Sequence, residues 1–79
     1  MIEDDYPDLA DWPTADKSIE AIRDIAERHA SKVIDGVFVD ASTAHAIVLV
    51  HDALNDENRE RLMGFPIERI GSIAWRLVK

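Results

Sequence analysis

The chain contains no cysteine, and in a protein of 79 residues this absence constrains the fold more than any other feature. Neither a disulfide framework nor a thiolate zinc site can stabilise such a chain. A domain of this size removes only about 60% of its unfolded surface from water, so its core is thin. We therefore expect one domain held together by packing. We also expect a homodimer, because small domains often gain stability by self-association.

The apolar residues exclude two classes of protein. They make up 47% of the chain, which is too large a share for a disordered tail. The longest apolar runs, such as residues 46–50, are far shorter than the roughly 20 residues that span a bilayer. The first five residues, MIEDD, lack the basic start of a secretory signal. We expect a cytoplasmic protein with no membrane segment.

The net charge of −7 is concentrated at one end of the chain. Residues 1–16 contain six acids and neither Lys nor Arg, whereas residues 59–79 contain five bases and two acids. Two interpretations stay open. The acidic end could fold over the basic end of its own chain or of a dimer mate, or it could attract a basic partner and raise the rate of association.

Residues 1–13 predict an extended acidic arm. Prolines bias the residues before them toward extended conformations, and large apolar residues alternate here with acids. This pattern is typical of docking segments, in which the acids steer and the apolar side chains anchor. The predicted partner-binding residues are Asp4, Asp5, Tyr6, Asp8, Leu9 and Trp12. For Trp12, which just precedes a predicted helix, we favour packing against the domain.

Residues 14–79 predict a single, mainly α domain, a compact bundle of three to four helices with at most one short β element. The first helix is expected over residues 15–32, capped by Thr14 or Asp16, since apolar side chains recur there at helical spacing. A second helix is expected over residues 43–55. It is apolar on nearly all sides, so we expect it to be the central element. Its candidate caps are Asp40, Ser42 and Thr43.

Two shorter helices are predicted at the carboxyl end. Asn55 and Asp56 start a helix that Gly64 ends, and Pro66 starts a last helix that extends to residue 78. Gly71 in the last helix predicts close contact with a neighbouring helix. Trp75 is expected at the margin of the apolar face as a packing residue. The residues on that face are Ile67, Ile70, Ile73, Ala74, Leu77 and Val78.

Two segments allow alternative structures. Residues 33–40 fit either a hairpin that turns at Asp35 and Gly36, or a helix-ending Gly36 followed by an extended segment. We favour the second, because such short arms need a third strand to form a stable hairpin. Residues 46–50 are rich in β-branched side chains and also fit a buried strand, which would make the fold α+β.

The polar residues indicate no catalytic or metal chemistry. His45 and His51 are six residues apart and point in different directions on a helix, so they do not share one metal ion. No spacing typical of a nucleophile and its base occurs, and the three glycines are scattered rather than gathered in a phosphate loop. We therefore predict neither an enzyme nor a bound cofactor.

Residues 58–79 offer a different class of function. Two short helices joined at residues 64–66 resemble a helix-turn-helix, and Arg69, Arg76 and Lys79 could contact phosphates. Against this, Glu60 occupies a position where that motif usually has a small residue, and the negative net charge opposes DNA binding. A DNA-binding regulator is therefore the alternative prediction, with nucleic acid the less expected partner.

Residues 36–79 resemble small uncharacterised proteins of actinobacterial phages and prophages. The similarity is carried by GVFVDASTA (36–44), IVLVHDAL (47–54), Asn58 and Arg59, and by Pro66 with AWRLV (74–78). It implies a phage or prophage origin, with the host cytoplasm as location, and it implies no catalytic activity.

The function predicted from these features is non-catalytic protein–protein interaction, as a phage-encoded adaptor or an inhibitor of a host protein. A self-associating structural or assembly protein is a further alternative.

Overall fold

The structure, a computed structural model, describes residues 13–78. Seven elements follow one another: β1 (Thr14–Ala15), α1 (Ile19–Arg28), β2 (Lys32–Ile34), β3 (Val37–Val39), α2 (Ala41–Ala53), α3 (Asp56–Met63) and α4 (Ile67–Leu77). The predicted mainly α fold is confirmed, although its β structure exceeds the single short element that we expected. The strands form one small three-stranded sheet, in the order β1-β2-β3.

Helix α1 is shorter than the sequence predicted. The hydroxyl of Ser18 accepts a hydrogen bond from the Ala21 amide at 3.2 Å and caps the helix, so the prediction of Thr14 or Asp16 as the cap was wrong. Thr14 instead belongs to β1, where it pairs with Val33. The helix ends at His29, whose φ of 52° is left-handed, and the chain then enters β2.

Strands β2 and β3 form the hairpin that we judged less favourable. Asp35 and Gly36 have φ of 51° and 79°, as a two-residue type I′ turn requires, so Gly36 does not end a helix. The antiparallel register pairs Ile34 with Val37. Strand β1 lies parallel to β2 on its other side and supplies the third strand that such short arms need.

Helix α2 is the centre of the domain, as predicted. Asp40 caps it by accepting a hydrogen bond from the Thr43 amide at 2.8 Å, and this cap starts the helix two residues earlier than expected. The strand alternative for residues 46–50 is excluded because they lie inside the helix. Helices α1 and α4 pack on α2, and five isoleucines are almost fully buried: Ile22, Ile25, Ile34, Ile47 and Ile70.

Helices α3 and α4 begin and end within one residue of their predicted positions. Asn55 caps α3 through the Asn58 amide at 2.9 Å, and Gly64 ends it. A Cβ placed on Gly71 would lie 3.4 Å from the Thr43 methyl group, which shows how closely α4 approaches α2 there. Leu77 departs from the predicted apolar face because it is 64% exposed.

No helix in the described range is both long and apolar enough to cross a membrane.

Candidate functional site

The predicted partner-binding residues Asp4, Asp5, Tyr6, Asp8, Leu9 and Trp12 all lie outside the described residues. Their assignment therefore stays a prediction. Lys79, one of the three cations of the alternative DNA-binding surface, also lies outside them. The surfaces that the structure does describe are formed by α1, α2, α3, α4 and the sheet.

A groove runs along α2 beside the carboxyl end of α4, and it contains two clefts that meet at Val78. It exists because α2 is apolar on nearly all sides, while α1 and α4 cover only part of its surface. Residues 45, 49 and 53 lie on one stripe of α2 at helical spacing and face this groove. The groove is an uncovered, mainly apolar feature of the described domain.

The cleft at the carboxyl ends of α2 and α4 is lined by aliphatic side chains alone, and we call it the leucine cleft. Its volume is about 280 Å³, and its lining residues are Leu49, Val50, Ala53, Leu54, Leu77 and Val78. Leu49 is 48% exposed and Leu77 is 64% exposed. A single exposed leucine is ordinary on a protein surface, whereas these two lie on one apolar cleft and enlarge its exposed apolar surface.

The cleft at the amino end of α2 contains two imidazoles, and we call it the histidine cleft. Its volume is about 370 Å³, and His29, His45 and Trp75 stand around a floor of small residues that includes Ala41 and Ala46. The Trp75 indole is 49% exposed, and its Nε1–H donates a hydrogen bond to the Thr43 hydroxyl at 3.2 Å. This bond fixes the ring at the rim of the cleft. Trp75 therefore lies at the margin of the apolar face, as predicted, and it also lines the histidine cleft.

A cluster of charged residues around the carboxyl end of α2 joins neighbouring helices to it. Arg23 binds both carboxylate oxygens of Asp52, at 3.1 and 3.0 Å, and so joins α1 to α2. Arg59 donates to the carbonyls of His51 and Asp52, at 2.9 and 3.1 Å, and so joins α3 to the carboxyl end of α2. The hydrogen bond from Arg23, with a further one from His51, lowers the pKa of Asp52 to about 2.

The histidines occupy separate environments, as their spacing predicted. His51 is buried, with its Nδ1 3.3 Å from a carboxylate oxygen of Asp52, whereas His45 is exposed in the histidine cleft. Among residues 13–78, no group of three or more His, Asp or Glu side chains is arranged to hold a metal ion.

Arg69 and Arg76 lie together on the outer face of α4, beside Ser72 and Glu68, around a shallow depression of about 360 Å³. Within the described domain neither arginine forms an ion pair, whereas Arg23, Arg28, Arg59 and Arg61 all do. Arg69 lies over the ring of Phe65, with its guanidinium carbon 5.4 Å from the ring centroid. The structure thus brings together two of the three predicted nucleic-acid contacts.

Comparison with known proteins gives no match. Neither a family model, nor a curated protein, nor a solved structure resembles this chain. The suggested relationship to phage proteins therefore stays a prediction, and the function must be inferred from the geometry of the described surfaces.

Sequence reasoning missed the leucine cleft. It placed Leu77 on the apolar face of α4, and it described α2 as apolar on nearly all sides without singling out Leu49. The signal was present, because a helix that is apolar on all sides needs neighbours on all sides, and a chain this short has few helices to supply them. What the pattern could not indicate was which side would be left uncovered.

Proposed function

We propose that this protein acts by non-catalytic protein–protein interaction and that the leucine cleft is its contact surface. The observation that carries the proposal is the exposure of Leu49 and Leu77 at 48% and 64%, on either side of one apolar cleft. An aliphatic cleft between two helices suits one or two apolar side chains from an amphipathic helix of the partner.

The free energy gained by covering the two leucines is large enough to change the affinity for a partner measurably. Full burial of a leucine contributes about 1.5–3 kcal/mol, so covering two half-exposed leucines contributes about 1 kcal/mol or more each. Loss of both contacts should weaken binding at least about tenfold. In line with the predicted phage origin, the proposal extends to an adaptor or an inhibitor of a host protein.

Affinity capture with the intact chain and two variants tests this proposal. Leu49→Ser and Leu77→Ser change exposed residues, so the domain should stay folded. Phe38→Ser is the matched control, because Phe38 is 44% exposed but lies on the sheet. We expect the two leucine variants to lose the same captured protein, quantified by mass spectrometry, while the control retains it. Equal capture by all variants would contradict the proposal.

Self-association through the same cleft would give a homodimer or a structural assembly. Light scattering over a concentration series distinguishes the two, because growth that stops at twice the mass of the chain indicates a closed dimer. Leu77→Ser should return either assembly to the monomer.

A second candidate function is DNA binding through α4, and it is favoured by the unpaired state of Arg69 and Arg76 within the described domain. Cations without acidic partners are free to neutralise phosphates. A gel-shift assay at low salt, with Arg69→Gln and Arg76→Gln as the comparison, tests this function. The absence of a shift with the unmodified protein would dismiss it.

A further inference from the structure

We infer that the histidine cleft binds a small aromatic carboxylate, whose ring packs against Trp75 and whose acid group accepts hydrogen bonds from His29 and His45. The inference goes beyond the proposed function and does not depend on it, because the leucine cleft shares only Val78 with the histidine cleft. A protein partner at one cleft and a small ligand at the other can therefore be tested separately.

The three imidazoles of the chain differ in their partners. His51 is buried, with its Nδ1 3.3 Å from a carboxylate oxygen of Asp52. His29 and His45 are exposed, and neither side chain makes a hydrogen bond or an ion pair within residues 13–78. Both of them line the histidine cleft. The two imidazoles that the described fold does not use thus face the same space.

Ser42 adds a third hydrogen-bond donor to this cleft. It lies three residues before His45 on α2, so the two side chains share one face of the helix. Its hydroxyl is exposed and has no partner in the part of the chain that the structure describes. An imidazole has an N–H donor in either charge state, whereas an ionised carboxylate only accepts hydrogen bonds. Three donors in one cleft therefore favour an acid group, which also forms the stronger, charge-assisted bonds.

The lining of the cleft contains nothing that would repel an anion. None of the described residues that form it is an Asp or a Glu. Asp40 directly precedes the lining residue Ala41, but its carboxylate accepts a hydrogen bond from the Thr43 amide at 2.8 Å and so caps α2. The electrostatic character of the lining thus agrees with its hydrogen-bond donors.

Trp75 favours an aromatic ring in the ligand. The indole is 49% exposed, and its Nε1–H, which is its only polar group, already donates to the Thr43 hydroxyl at 3.2 Å. The side chain therefore presents only ring surface to the cleft, in a fixed orientation. Aromatic pairs gain stability in offset-stacked or edge-to-face arrangements. The floor of small side chains, which includes Ala26, Ala41 and Ala46, leaves room for a flat ring.

The size of the cleft limits the ligand. A volume of about 370 Å³ is close to the lower limit of sites for small molecules, which is about 300 Å³. Such sites typically combine an apolar lining with a few polar groups that fix the orientation of the ligand. One or two fused rings with a single acid group suit these dimensions better than a molecule as large as a nucleotide.

The backbone at His29 provides an independent argument. This residue ends α1 with a φ of 52°, which is left-handed. Glycine is the usual residue at this position, because a Cβ is sterically unfavourable there. Unfavourable backbone conformations of this kind cluster at ligand sites. The chain thus places an imidazole beside the cleft where glycine would make the fold more stable.

Titration of the full, ¹⁵N-labelled chain with 2-naphthoate, followed by NMR, tests the inference. The reporters are the Trp75 Nε1–H and the His45 amide, and the amide of Arg61 on α3 is the control signal. Naphthalene-2-carboxamide has the same rings without the charge, and decahydronaphthalene-2-carboxylate has the charge without the aromatic rings. We expect saturable shifts at both reporters with 2-naphthoate, at least threefold weaker binding of each matched probe, and no shift at residue 61.

Substitutions in the cleft should act on affinity and stability in different ways. His45→Leu and Trp75→Leu should each weaken the binding of 2-naphthoate at least tenfold, with the Ala46 amide as the reporter. His29→Gly should weaken it at least threefold and also raise the midpoint of urea unfolding, a combination that a purely structural role of the imidazole would not produce. Leu77→Ser in the leucine cleft is the matched control and should bind like the unmodified protein.

Three results would overturn the inference. The first is the absence of saturable shifts with 2-naphthoate, and the second is equal affinity for all three probes or for the unmodified protein and His45→Leu. The third is a nuclear Overhauser effect, in the ligand-free protein, between the methyl groups of Ala41 or Ala46 and a side chain from outside the cleft. Such a contact, within one chain or with a second copy, would show that the cleft is already filled.

Discussion

Replacing Gly71 by alanine should stabilise the protein, although Gly71 is buried where α4 meets α2. The added Cβ would lie 3.4 Å from the Thr43 methyl group, which is an ordinary van der Waals separation. The substitution therefore need not move the helices apart. Alanine is favoured over glycine inside a helix by about 0.8–1.0 kcal/mol. We expect Gly71→Ala to raise the free energy of unfolding by about 0.5–1 kcal/mol, with the remainder lost to small adjustments at the contact.

Larger side chains at the same position should have the opposite effect. Gly71→Val adds two further methyl groups against Thr43, and overpacking of this kind costs about 1–3 kcal/mol. If alanine raises the free energy of unfolding and valine lowers it, the two helices are separated at Gly71 by the short distance that the structure shows.

Urea denaturation followed by circular dichroism at 222 nm measures both effects, and a gain of 1 kcal/mol in a domain of this size raises Tm by about 4–8 °C. Ser72→Ala, on the exposed side of the same helix, is the control that reports helix propensity alone. If Gly71→Ala destabilised the protein by more than about 1 kcal/mol, α2 and α4 would have to lie closer than the structure places them.

Three other substitutions test separate parts of the fold. Ile47→Ala, at a fully buried position, should lower the free energy of unfolding by about 2–5 kcal/mol in urea titrations, whereas Leu49→Ala two residues later should change it by less than about 1 kcal/mol. Gly36→Ala should cost about 1–2 kcal/mol in the same assay, because the φ of 79° is left-handed. The pKa of Asp52 falls from 3.8 to about 2 on folding, so its ionised form stabilises the protein above about pH 4, and this contribution is lost as the pH falls toward 2. Thermal melts at several pH values should therefore show a shallower acid loss in Asp52→Asn.

The sequence predicted the ends of an element correctly where a residue there had only one suitable structural role. Asn55 and Gly64 bound α3 as predicted, since an asparagine before a polar helix and a glycine after it both satisfy backbone groups that the helix leaves unpaired. The near-continuous apolar surface of α2 likewise predicted its central place.

The sequence did not predict the structure where several residues could fill the same role, or where pairing with a strand distant in the chain determined the local structure. Thr14, Asp16 and Ser18 can all cap a helix, and the choice of Ser18 follows from the pairing of Thr14 with Val33. Gly36 suits both a helix end and a type I′ turn. The hairpin forms because β1, some 20 residues earlier in the chain, supplies the third strand.

The candidate site shows the same limit. The sequence indicated Trp75 as a marginal residue, and it indicated Arg69 and Arg76 as outward-facing cations, because each depends on the periodicity of a single helix. The leucine cleft depends on which sides of α2 are covered by α1 and α4, and that is a property of the tertiary packing.

Site-specific photo-crosslinking tests the central claim, that the leucine cleft is the contact surface, most directly. A benzophenone side chain is introduced in place of Leu49, of Leu77 or, as a control on α3, of Arg61, and the labelled proteins are irradiated in an extract of the cells that express this protein. The proposal predicts that residues 49 and 77 crosslink to the same protein, or to a second copy of this chain, and that residue 61 does not. Crosslinking at residue 61 as strong as at the two cleft positions, or none at residues 49 and 77, would contradict it.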